Sequence, residues 1–113
     1  MEKAITLSNP VTRGIATGQN CEIPIHELPH DGGYRVNRAR FKSGSSVSWR
    51  GSNFTPEDII VFLPQSGGAP IHQSEFPVTI YGAPGIYPYS LFVFVAGGWC
   101  PVEGNSPPEM IIE

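Results

Sequence analysis

The sequence predicts an all-β fold, a two-sheet, antiparallel-rich sandwich of about seven or eight short strands, as a single domain over residues 1–113. Two observations carry this expectation. Thirteen Gly and twelve Pro are spread through 113 residues of which only 15% are charged, so the chain turns too often for long amphipathic helices. The second is the stretch Phe76 to Ala96, the most apolar in the chain, which the rest of the fold must be arranged to cover.

Taken in order, Ala4 to Ser8 is a short apolar and β-branched run ended by Asn9-Pro10, suited to a first strand near an edge. Val11 to Gly18 has no clear pattern. Cys21 to Ile25 reads as extended, and Pro24, Pro29 and Gly32-Gly33 then turn the chain into loop. Tyr34 to Phe41 reads as one strand. Val36 is in phase with Tyr34 whereas Ala39 and Phe41 are not, which predicts a bulge near Asn37.

Val47 and Trp49 alternate with Ser46, Ser48 and Arg50, the period-2 pattern of a half-buried strand. Thr55-Pro56-Glu57-Asp58 carries a helix-start signature, so one helical turn is expected before a strand at Ile59 to Leu63. Pro64 to Glu75 reads as a long loop. Val78 to Tyr81 and Ile86 to Val95 are expected as two strands joined by a turn at Gly82 to Gly85. Leu91 to Val95 would be an aggregation hazard at an exposed edge and is therefore expected in a central strand, buried on both faces. Gly98 to Pro108 reads as irregular and Glu109 to Glu113 as a terminal strand. The expected inward positions are Tyr34, Val47, Trp49, Ile60, Phe62, Ile80, Tyr87, Tyr89, Leu91 and Val93.

A formal charge of −3 supplies no overall attraction to nucleic acid, and no nucleic-acid partner is expected. No apolar stretch is long enough for a helical membrane span. Met1 to Asn9 lacks an apolar leader, which favours a cytoplasmic chain, although a mature secreted domain would read the same way. Cys21 and Cys100 fix no pairing. Asn53-Phe54-Thr55 fits a glycosylation sequon.

The segment Phe41 to Glu113 resembles the cupredoxin family. Lys42-Ser43-Gly44-Ser45-Ser46-Val47-Ser48-Trp49 is similar to the family's glycine turn and following strand, Pro84-Gly85-Ile86-Tyr87-Pro88-Tyr89 to its approach to the copper site, and Pro108-Glu109-Met110-Ile111-Ile112 to its Met-containing last strand. The resemblance implies a Greek-key sandwich. The family's copper chemistry uses a thiolate, two imidazoles and a weak thioether, and those positions are not retained. Leu91 stands where the Cys ligand is expected, no His lies near Glu57 and Asp58, and none follows His72. Copper is therefore not expected, and the implied protein is a cupredoxin-like sandwich used for binding.

Three groups of residues are candidates for a site. Cys21, His26 and His30, with Asp31, lie in a Pro-interrupted segment and supply one thiolate and two imidazoles, a donor set suited to zinc. Arg38 and Arg40, with Arg35, Lys42 and Arg50, place five of the seven Lys and Arg between positions 35 and 50, a cationic stripe able to grip phosphate or carboxylate. Trp99, beside Gly97-Gly98 and Cys100-Pro101, reads as an accessible aromatic in an irregular segment. No nucleophile elbow, paired acids or phosphate loop is present. The expected function is a non-enzymatic binding or interaction module without a cofactor, contacting its protein, small-molecule or carbohydrate partner through the loops His26 to Gly33, Gln65 to Glu75 and Trp99 to Pro107. The alternatives are a Cys21/His26/His30 metal protein, a lectin-like sandwich and a self-assembling homo-oligomer.

Overall fold

A computed structural model describes residues 3–8, 19–30, 32–63, 69–103 and 108–113. The expected Val11 to Gly18 region and Asp31 lie outside them, as do residues 64–68 of the expected Pro64 to Glu75 loop. The described strands are β1 (Lys3–Thr6), β2 (Asn20–Glu27), β3 (Tyr34–Val36), β4 (Ala39–Phe41), β5 (Ser45–Gly51), β6 (Asp58–Phe62), β7 (Ile71–His72), β8 (Val78–Tyr81), β9 (Gly85–Pro88), β10 (Ser90–Val95), β11 (Gly98–Glu103) and β12 (Glu109–Ile112), with one 3-10 turn at Gln73–Glu75. They form a curled nine-stranded sheet in the order β1-β8-β5-β2-β3-β11-β10-β6-β7 and a three-stranded sheet in the order β4-β12-β9. The protein is all-β.

Twelve described strands exceed the seven or eight expected because two expected strands divide between the sheets, and because β7 and β11 form where a loop and irregular chain were expected. Tyr34 to Phe41 does not bulge near Asn37; it crosses there, leaving β3 in the large sheet and β4 in the small one. Ile86 to Val95 likewise breaks at Tyr89 into β9 of the small sheet and β10 of the large. The phase change that looked like a local defect in one strand is a change of sheet.

One buried core draws on both sheets. Phe41, Met110 and Ile112 from the small sheet meet Ile5, Ile23, Ile25, Val47, Val78, Ile80, Leu91 and Val93 from the large one. Within it the Trp49 Nε1–H donates to the Tyr89 hydroxyl at 3.0 Å, with ring centroids 5.7 Å apart. This satisfies the indole donor that burial would otherwise orphan. Burial pushes the Tyr89 phenol up to about 12, so it stays a neutral hydroxyl.

Pro24 sits inside β2, which is flanked by β5 and β3. The Gln19 and Ile25 carbonyls accept from the N–H groups of Ser46 in β5 and Ser52 just after it, so odd-numbered residues of β2 face β5 and Pro24 turns its nitrogen the other way. There β3 pairs only with Ile25, His26 and Glu27. The missing N–H thus falls where no partner stands.

The expected helical turn at Thr55 to Asp58 is not formed. Thr55 and Pro56 are irregular, Glu57 is a bend and Asp58 already begins β6, with the Glu57 N–H donating to the Phe94 carbonyl at 2.8 Å, so sheet pairing overrides the local signature. Gly98 to Glu103, expected to be irregular, is strand β11, entered through Ala96 and Gly97 at positive φ.

Candidate functional site

Every residue of the run Leu91 to Val95 is apolar, so composition alone does not say which phase of the strand faces the core. The pairing decides it. Leu91 and Val93 are buried, while Phe92 and Phe94 point to the outer face and are only partly covered. On neighbouring β6 the buried positions are Ile59 and Val61, so Ile60 and Phe62, expected in the core, are outward instead, a one-residue slip of phase. β10 is central, between β11 and β6, but the described residues bury it on one face only.

Register assembles these outward residues into a continuous patch. Phe94 stands opposite both Trp99 and Asp58, Phe92 opposite Pro101 and Ile60, and Ile60 opposite His72. The Phe94 and Trp99 rings lie 4.9 Å apart at 60°, and the Phe62 and Phe92 rings 5.9 Å apart at 89°. Trp99 is 45% exposed. The result is a ridged aromatic surface, with rings tilted against one another instead of lying flat.

At its border the Asp58 Oδ2 and His72 Nδ1 are 2.9 Å apart. The Asp58 Oδ1 accepts from the Ile59 N–H at 2.8 Å and from the Gln73 N–H at 3.4 Å. Partial burial pushes the Asp58 carboxyl up, but the hydrogen bonds from His72, Ile59 and Gln73 outweigh it and hold the group below its ordinary value. The His72 N–H is in turn accepted by the Glu75 Oε1 at 3.0 Å. An oriented imidazole beside a carboxylate is half of a catalytic arrangement, yet the described hydrogen bonds bring no hydroxyl or thiol to the other ring nitrogen. The Asp58–His72 pair, fourteen residues apart, was missed in the sequence because only the β6–β7 pairing joins it.

The candidates read from the sequence are dispersed. Cys21 packs inward with Ile23 and Ile25, while His26 lies on the opposite face of the same strand. Five residues of strand separate them by roughly 16 Å, and His30 lies exposed in the turn beyond. Among the described residues no group of three potential ligands gathers. Cys21 and Cys100 are free thiols, and burial pushes Cys21 up.

Arg38 is tied to Glu109, 2.6 Å from its carboxylate, whereas Arg40 lines a cleft between the sheets. Trp99 is on strand β11 and belongs to the aromatic patch. The sequon residue Asn53 clamps β2: its Oδ1 accepts from the Glu27 N–H at 2.7 Å and its Nδ2 donates to the Glu27 carbonyl at 3.0 Å.

Compared with known protein families, with curated proteins and with solved structures, the chain gives no match. Among the described residues no helix is long and apolar enough to cross a membrane.

Proposed function

We propose that this domain is a non-enzymatic interaction module, on a cupredoxin-like sandwich without a blue-copper site, that docks an apolar protein surface against the aromatic face of β6, β10 and β11. The observation that supports it is the contiguity of Ile60, Phe62, Phe92, Phe94, Trp99 and Pro101 on the outward side of a sheet whose inward side already supplies the core. Aromatic residues ringed by a few polar groups are the composition of an interface centre. A pyranose would need a flat exposed ring to stack on, and the 60° and 89° tilts suit interdigitating side chains better. The contact surface thus moves from the loop end expected from the sequence to a sheet face that includes Trp99. Met110, the one copper-ligand type retained, is fully buried, which suits core packing.

The test pairs wild type with a Phe94→Ser/Trp99→Ser variant. Partners retained by the wild type are purified, recombined with it and footprinted by hydrogen exchange. The expected result is protection over β6, β10 and β11 and at least about tenfold weaker binding by the variant. Protection elsewhere, or undiminished binding by a folded variant, overturns the reading. A concentration-dependent mass that the variant abolishes identifies the partner as a second copy.

A further inference from the structure

We infer a second site, for a small oxyanion such as a phosphate or carboxylate group, in the cleft between the two sheets at the corner where β4 turns into β5. The cleft has a volume of about 300 Å³, and Gln19, Asn20, Arg40, Lys42, Ser45 and Glu113 are among its lining residues. It shares no residue with the aromatic face.

The cations single it out. Lys3 pairs with Glu75, Arg38 with Glu109 and Arg50 with Glu22, and Arg35 also has a partner. Among the described residues, the side chains of Arg40 and Lys42 alone of the Lys and Arg have no hydrogen-bond or ion-pair partner, and both line this cleft. Unpaired cations are common on open surface, but two lining one concavity make a receptor for negative charge.

Neutral polar residues complete the wall. Gln19 and Asn20 line it, and the Gln19 Oε1 accepts from the Ser45 hydroxyl at 3.3 Å. The Phe41 carbonyl accepts from the Glu113 N–H at 3.0 Å, so Phe41 uses its peptide groups on β12, and those of Arg40 point to the open edge of β4. The corner is fixed from beneath: the fully buried Ser45 hydroxyl donates to the Lys42 carbonyl at 2.6 Å, and Gly44 takes the positive φ of 88° that the turn needs. Cys21, whose thiol burial keeps protonated, adds no charge to the wall. Glu113 is the one acidic residue among the described lining. It forms no ion pair with either cation, and it opposes an incoming anion.

The experiment is a ¹H–¹⁵N NMR titration with inorganic phosphate, referenced to sodium chloride at equal ionic strength, and repeated with acetate. Saturable shifts confined to residues 19–21, 40–45 and 113 are expected. Arg40→Ala/Lys42→Ala should weaken binding at least about tenfold, Arg50→Ala should leave it unchanged, and Glu113→Gln should tighten it about twofold to threefold. A response to phosphate alone assigns a phosphate ester, and an equal response to acetate assigns a carboxylate. Non-saturating shifts, shifts spread equally over Arg35, Arg38 and Arg50, or full binding by the Arg40→Ala/Lys42→Ala variant overturn the site.

Discussion

On β5 and β2 the outward positions of the nine-stranded sheet carry Ser46, Ser48, Arg50, Glu22, Pro24 and His26, whereas on β6 and β10 the equivalent positions carry Ile60, Phe62, Phe92 and Phe94. Both halves offer the same kind of inner face, Val47, Trp49, Ile23 and Ile25 on one side and Ile59, Val61, Leu91 and Val93 on the other. The need for a core therefore does not explain the difference. A sheet with one side in solvent needs only one apolar face, and the first half keeps to that minimum although β2 and β5 run parallel. The second half adds an exposed aromatic surface that favours association, which is the feature a docking module requires.

The largest contrast lies within a single strand. Leu91→Ala should lower stability by about 2 to 5 kcal/mol in urea unfolding, because it leaves a cavity at a site 2% exposed. Phe92→Ser, one residue along, should lower it by only about 1 kcal/mol while weakening partner binding. Equal losses would make Phe92 a core residue and dissolve the distinction.

A smaller effect separates the charged pairs at the two borders. Because Asp58 is held below its unfolded value, its contribution is complete above about pH 5 and disappears as the pH falls through the folded value. Asp58→Asn should consequently show a shallower acid decline than wild type in thermal melts taken between pH 5 and pH 2. A parallel pair of curves would remove the Asp58–His72 bond from the stability of that edge. The smallest effect belongs to the polar half. Glu22 and Arg50 are more than half exposed, so Arg50→Ala should change unfolding by no more than about 0.5 kcal/mol.

Where neighbouring residues alternate cleanly, the sequence was readable. Val47 and Trp49 against Ser46, Ser48 and Arg50 placed β5 and its buried face, Val78 to Tyr81 is a strand as expected, and the expected Glu109 to Glu113 strand forms over Glu109–Ile112. Where both phases are apolar it was not. Ile59-Ile60-Val61-Phe62 and Leu91-Phe92-Val93-Phe94 support either orientation, so the sequence reading sent Ile60 and Phe62 inward and hid the aromatic face. Trp99 was singled out, but as a loop residue, since Gly97-Gly98 and Pro101 mark irregular chain more often than strand. Arg38 and Arg40 looked equivalent until Glu109, seventy-one residues from Arg38, took one of them.

By itself, the sequence determined the β class, most strand positions and the residue types available for recognition, because these depend on propensities and periodicities only a few residues long. The tertiary structure decided which strands share a sheet, where the chain crosses at Asn37 and Tyr89, which phase of β6 and β10 meets the core, and which two cations are left to line a cleft. Those outcomes depend on pairing between distant segments, as when β12 is held between β4 and β9, and each register shift of one residue exchanges the inside of a strand for its outside.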